Sequence, residues 1–239
     1  MSFALIPSLL GALLCLSFQL EAQATVDTLT YFPSDRIRGG APAFYQVISD
    51  YITYPAAARQ RKIVGTTIAV IRVSPEGRLA DVGIINSLHR TVDQAVRRTL
   101  RRTQSQWLAD QFIEEDIAFF VPITFLPTGP QLLQDRDQPA FLLPTVNVVI
   151  DDELSTSVTD DTAIVRQANR WYREKNYALA LKHLDELIRR NPYPRELYLM
   201  RGNAYYQLGN HERGCADFAM IRSFLKQPVP TAAATLCLQ

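Results

Sequence analysis

The chain has 239 residues, of which 47% are hydrophobic and 21% are charged. These proportions are those of ordinary globular domains, so they exclude a disordered chain and a membrane protein with many spans. The 25 basic and 24 acidic side chains leave a formal net charge of +1, so no overall field attracts a polyanion such as nucleic acid. The length favours two domains.

The N-terminus has the pattern of an export signal. The first twenty residues contain no charged side chain, and residues 21–24 end in the small-x-small pattern of a signal-peptidase site. Residues 1–24 are therefore predicted to be a cleaved signal peptide. The alternative is an uncleaved membrane anchor, because no Lys or Arg precedes the apolar run.

Two short helices are predicted next, over Phe44–Tyr51 and Pro55–Gln60. In the first, Phe44, Val47, Ile48 and Tyr51 recur at helical spacing. In the second, Pro55 suits the first turn of a helix.

Three strands are predicted in the first half of the chain. Ile63–Val73 is rich in β-branched residues, and a Pro-Glu-Gly turn joins it to a second strand over Leu79–Asn86, which makes the two a hairpin. The third strand, Ile117–Leu126, contains Pro122. Because proline cannot donate to a ladder, this strand is predicted to lie at a sheet edge or to carry a bulge.

A basic amphipathic helix is predicted between the second and third strands, opening near Asp93. Four arginines share one of its faces and form a candidate patch for an anion or a partner. The alternative is a solvated face without a ligand. The four residues are Arg97, Arg98, Arg101 and Arg102.

Residues 128–160 are predicted to be a linker, because they mix prolines, a glycine and acidic side chains without helical periodicity. Within it, residues 141–150 are apolar enough to dock as a strand on either neighbour, and the sequence leaves that choice open. The acidic residues around 151–153 and 160–161 lack the spacing of a calcium loop and are interpreted as solvated charge.

The second half of the chain repeats itself with a period of 34 positions, which is the period of tetratricopeptide repeats. Small residues at fixed positions let paired helices approach, and bulky residues fill the gaps between them. The matching residues are Ala168, Trp171, Tyr177, Ala180, Leu184 and Pro192 in the first unit and Gly202, Tyr205, Gly209, Gly214 and Phe218 in the second.

A series of motifs in the first half resembles a TonB C-terminal domain over residues 39–125. The resemblance implies an α+β domain in which a small three-stranded antiparallel sheet packs on helices, and it implies binding of a short receptor segment as an added strand. The alternative is a protected edge that binds nothing. The motifs are Tyr54–Ala58, Gly65–Thr66, Pro75–Val82, Val92–Ala95 and Trp107, and the predicted binding edge is Ile117, Phe119, Val121, Pro122, Ile123 and Phe125.

Together these patterns predict an α+β TonB-like domain over residues 25–127, the linker, an all-α pair of tetratricopeptide-like hairpins over 161–228 and a tail over 229–239. Cys215 and Cys237 form an even pair, which predicts a disulfide in an oxidising compartment, with two buried thiols as the alternative.

No enzyme, cofactor or metal site is predicted. The three histidines are scattered, and no nucleophile elbow, phosphate loop or zinc-ligand spacing occurs. The function predicted is that of an exported periplasmic scaffold that binds envelope proteins, with no nucleic acid or small-molecule substrate. The alternative is a short energy transducer of the TonB type, anchored in the inner membrane on its periplasmic side and serving an outer-membrane receptor.

Overall fold

The computed structural model describes residues 34–112, 114–127, 146–150 and 161–237. The predicted signal peptide lies outside these residues. The described elements are α1 (Gly40–Tyr51), α2 (Ala56–Gln60), β1 (Gly65–Val73), β2 (Leu79–Asn86), α3 (Arg90–Arg101), β3 (Ile117–Pro127), β4 (Val146–Ile150), α4 (Asp161–Arg173), α5 (Tyr177–Arg190), α6 (Arg195–Gln207), α7 (His211–Ser223), α8 (Thr231–Leu236) and two 3₁₀ turns, Ser34–Arg36 and Arg102–Gln106.

The sheet has four strands in the order β2-β1-β3-β4, so the prediction of three strands is wrong. β1 is antiparallel to both β2 and β3, whereas β4 runs parallel to β3. β4 lies inside the range predicted to be a linker. It also lies inside residues 141–150, which the sequence left open as a docking strand, and its neighbour is β3. Val146 and Val148 pair with Ile123 and Phe125 and face the same core.

The other predicted elements of the first half are confirmed. The two early helices, the hairpin of β1 and β2 and the strand after the basic helix all occur close to their expected bounds. The basic helix α3 begins at Arg90, earlier than Asp93. His89 is its N-cap, and its ring Nδ1 accepts a hydrogen bond from the backbone N–H of Thr91.

One face of the sheet packs against α1, α3 and Trp107. Alternate residues of β1 and β3, among them Ala69, Ile71 and Phe119, point into this core and are less than 5% exposed. Phe44 of α1 contacts Trp107 and Phe119 edge-on, with ring centroids 5.8 and 6.5 Å away. Three aromatic rings therefore join the first helix to the centre of the sheet.

The opposite face of the sheet packs against the helices of the second half. Ile68 and Phe120 belong to one apolar cluster with Tyr193 and Phe224, and the rings of Phe120 and Phe224 meet at 5.0 Å. The backbones also approach closely, because a Cβ on Gly65 would lie 2.3 Å from the carbonyl oxygen of Arg189. The sheet is therefore a middle layer between two sets of helices.

The helices of the second half form two antiparallel hairpins, α4 with α5 and α6 with α7. α6 begins 34 positions after α4 (residue 195 against 161), and α7 begins 34 after α5 (residue 211 against 177). Gly202 permits the close packing expected of the repeat, since a Cβ there would lie 2.7 Å from the ring of Phe218. The assignment of these hairpins as tetratricopeptide repeats stays a prediction.

Candidate functional site

The predicted binding strand β3 is an inner strand over half of its length. On one side it pairs with β1 from Ile117 to Phe125, and on the other it pairs with β4 from Ile123 to Pro127. The prediction of an open edge at Ile123 and Phe125 is therefore wrong, because the chain's own β4 occupies their outer side. The ladder with β4 begins directly after Pro122, the residue that lacks a donor.

The two halves of β3 differ in whether their outer side is paired with another strand. Within the described part of the chain, no strand pairs with the outer side of Ile117, Phe119, Val121 and Pro122. Their side chains nevertheless contribute to the core, where Val121 is fully buried and Phe119 is 4% exposed. Only backbone groups of this stretch are therefore candidates for contact with a partner.

At the far side of the sheet, β2 is an edge strand that is capped by side chains. Arg97 Nε of α3 donates to the carbonyl oxygen of Val82 at 3.3 Å. Gln104 Oε1 accepts a hydrogen bond from the backbone N–H of Leu79 at 2.8 Å, and its Nε2 donates to Gly77 O at 3.2 Å. These side chains occupy backbone groups that an added strand would need, which is one way in which an edge is protected.

The four arginines predicted to form a patch do lie together along α3 and the turn after it, but their environments differ. Arg98, Arg101 and Arg102 are exposed, whereas Arg97 is half-buried by its contact with β2. The guanidinium of Arg102 lies 4.3 Å from the ring centroid of Tyr51. Edge capping by Arg97 was not anticipated, because the pattern of a single helix does not show which strand edge it reaches.

The two cysteines are joined. Cys215 of α7 and Cys237, just after α8, form a disulfide with their Cα atoms 5.5 Å apart. This confirms the predicted pairing and holds the C-terminal end of α8 beside α7. Ala233 and Leu236 of α8 pack into the apolar cluster that covers the sheet.

A partly buried charge network connects three helices of the hairpins. Arg201 of α6 donates to Asp217 of α7 at 2.6 and 2.9 Å and to Asp185 of α5 at 2.9 Å. Burial raises the pKa of Asp217 above its ordinary value, although the hydrogen bond from Arg201 acts against that rise. Burial acts to lower the pKa of Arg201, but its hydrogen bond and charge interaction with Asp217 raise it overall. Both groups hold each other in place within the packed helices.

Neither a cluster of metal ligands nor a membrane-spanning helix occurs within the described residues. They contain no group of three or more His, Cys, Asp or Glu side chains that could hold a metal ion. Over the same residues, no helix is both long and apolar enough to cross a membrane.

Comparison with known proteins relates three strands of the sheet and the helices between them to a known protein domain. Residues 50–126 match the family model of the Gram-negative bacterial TonB protein C-terminal. This range begins near the end of α1 and includes α2, β1, β2, α3 and nearly all of β3. The TonB-like domain implies a location in the cell envelope, and domains of this family interact with proteins such as outer-membrane receptors.

One similar solved structure is an NMR solution structure of the TonB C-terminal domain of Helicobacter pylori. The identity is 17%, the match covers 36% of this chain and 90% of that chain, and the TM-score is 0.29. No curated protein matches the chain significantly. The match to the family model therefore carries the assignment of the TonB-like domain.

Proposed function

We propose that the protein is an exported envelope scaffold whose TonB-like domain binds an extended segment of a partner protein at the β3–β4 end of its sheet. The observation that carries this proposal is the contrast between the two edges. Arg97 and Gln104 cap β2, whereas β3 is covered over only five residues by β4. Added strands gain affinity from main-chain hydrogen bonds, so they need an edge with accessible backbone groups.

The partner segment would take the place of β4 and extend along the first half of β3. β4 pairs with five residues of β3, and Val146 and Val148 fill two positions of the core below the sheet. A strand of this length has few contacts to lose and belongs to the least stable parts of a fold. The replacing segment would offer two apolar side chains two residues apart, to refill those positions.

Peptide titration tests this exchange. The probes are synthetic peptides from the periplasmic segments of outer-membrane receptors, and calorimetry measures their affinity for the full chain. Val146→Asp with Val148→Asp weakens the docking of β4, so we expect an affinity about tenfold higher, because the fraction of chains with an open β3 increases. The matched control is Asn147→Asp, which adds charge at an exposed position of the same strand.

Unchanged peptide affinity in a folded double variant would contradict the exchange of β4. Peptides that bind neither the wild type nor the variant would contradict strand addition as a whole.

The helical hairpins are proposed to hold a second partner segment, separate from the one at β3. Arg166→Glu with Arg170→Glu changes the exposed face of α4, so this variant should bind the receptor peptides with unchanged affinity.

A short energy transducer is the second candidate function, because the match is to the C-terminal of a TonB protein. The two candidates differ at the N-terminus of the mature protein. Mass spectrometry of the protein from the envelope separates them: removal of residues 1–24 supports the exported scaffold, and a retained N-terminus in the inner membrane supports the transducer.

A further inference from the structure

The outward face of α3 carries a row of arginines along a helix of 12 residues, which is about 18 Å long. Its inward face, formed by Val92, Val96 and Leu100, is fully buried in the core. The outward face holds Arg90, Arg98 and Arg101, all exposed, and Arg102 continues the row into the following turn. The positive charge is therefore fixed in one place by the packing of the other face.

None of the ion pairs between described residues includes an arginine of this row. The ion pairs of the described residues lie among helices α4, α5, α6 and α7. In the same ranges, the side chains of Arg98 and Arg101 take part in no ion pair or hydrogen bond, and both are exposed. The whole chain has a net charge of only +1, so attraction of an anionic surface would come from this local row.

Both ends of the row add groups suited to an interface with anions. At the N-terminal end, Arg61 Nη1 lies 3.2 Å from His89 Nε2, which places another guanidinium beside the start of α3. At the C-terminal end, Arg102 stacks on Tyr51, whose side chain is 49% exposed. A half-exposed tyrosine has an apolar ring and a polar tip, a combination suited to the boundary between lipid and water.

We propose that the arginine row of α3 binds the surface of an anionic phospholipid membrane. The outer surface of a helix is convex, and the neighbouring edge of β2 is capped by Arg97 and Gln104. A peptide strand added to β2 would therefore compete with these two side chains for backbone groups. Phosphate headgroups need only accessible cations, and guanidinium groups bind phosphate well. Such binding would orient the TonB-like domain on a membrane while the β3–β4 end remains available.

Vesicle flotation with the purified full chain tests the proposal independently of any protein partner. The vesicles are phosphatidylglycerol with phosphatidylcholine in equal parts, and phosphatidylcholine alone. We expect binding only to the anionic vesicles and weaker binding as the salt concentration rises. Arg98→Glu with Arg101→Glu should weaken the apparent affinity about 25-fold or more, since each arginine near an anionic surface contributes roughly a factor of five and the glutamates add repulsion.

The matched control is Arg166→Glu with Arg170→Glu on α4, which changes the net charge by the same amount at two other exposed arginines. This variant should keep its affinity within about twofold of the wild type. Arg98→Lys with Arg101→Lys retains the charge and should retain most of the binding. Circular dichroism verifies that each variant is folded.

Three results would overturn the proposal. The first is equal binding to anionic and neutral vesicles, and the second is an equal loss of vesicle affinity in the α3 and α4 variants. The third is that the wild type does not bind vesicles but binds polyglutamate, and that the α3 variant does not bind polyglutamate. The last result would identify the row as a site for acidic protein segments. None of these results bears on strand addition at β3, so the two proposals fail separately.

Discussion

At the scale of single residues, Arg201 is a charge whose removal has a predictable effect, because it lies between Asp185 and Asp217. The carboxylate of Asp217 is 5% exposed, so removal of the cation leaves a buried charge without compensation. We predict that Arg201→Met lowers the free energy of unfolding by about 3–5 kcal/mol at neutral pH. Chemical denaturation measures the change, and Arg222→Met, at an exposed position of α7, should have almost no effect.

The pH dependence of this variant follows from the raised pKa of Asp217. When the pKa of a carboxyl group is higher in the folded than in the unfolded state, the folded protein loses stability as pH rises between the two pKa values. Without Arg201 the pKa rises further, so we expect the destabilisation to be smaller in acid, where Asp217 is protonated, than at neutral pH. A loss that is equal at both pH values would contradict this account.

Single residues also show what the sequence predicts and what it does not. Pro122 lies opposite Ile68 in a ladder with β1 that shows no register shift, so the bulge that the sequence allowed does not occur there. On its other side, the pairing with β4 begins only at the next residue. Which strand pairs with the other side of β3 depends on residues far along the chain. β4 begins only at Val146 and covers β3 from Ile123 onward. A pattern of period two within five residues is too weak to reveal such a partner.

At the scale of elements, α8 is connected to the fold by the disulfide between Cys215 and Cys237. The loop that it closes spans a sequence separation of 22 residues, and a crosslink of this length stabilises by about 3 kcal/mol. We predict that Cys215→Ser with Cys237→Ser lowers the melting temperature by several degrees. Dithiothreitol should lower the melting temperature of the wild type equally and leave that of the variant unchanged.

The helix α3 shows that one element can have two roles. Its amphipathic pattern predicts the buried face correctly, because that face depends only on the spacing within one helix. The contact from Arg97 to Val82 depends on the position of β2 in space, which the spacing does not contain. The capped edge at β2 was therefore visible only once the sheet order was known, whereas the spacing within the helix already predicted that its arginines share a face.

At the scale of the whole molecule, the two halves share a core. Asn86 Nδ2 of β2 donates to Thr66 O at 2.6 Å and to Ile188 O of α5 at 3.2 Å, so one side chain joins the sheet to the hairpins. Two hairpins are fewer than an independent array of repeats needs. The sheet provides the apolar surface on which they pack, and the sequence motifs of each half do not encode that contact.

A shared core predicts that the sheet and the hairpins unfold together. Trp107 packs in the sheet core and Trp171 packs among the hairpins, so in a Trp171→Phe variant the fluorescence reports on the sheet while far-UV circular dichroism reports mainly on the helices. We expect the two denaturation curves to coincide, as in a two-state transition.

Phe120→Ala removes the ring that contacts Phe224, and a core truncation of this kind costs about 3–5 kcal/mol. Because the ring belongs to the cluster that joins the two halves, we expect both curves to shift by the same amount. A helical transition that keeps its midpoint while the tryptophan signal shifts would show that the hairpins are stable without the sheet. In that case the scaffold would consist of two separately stable units, and a partner bound by one half would leave the stability of the other unchanged.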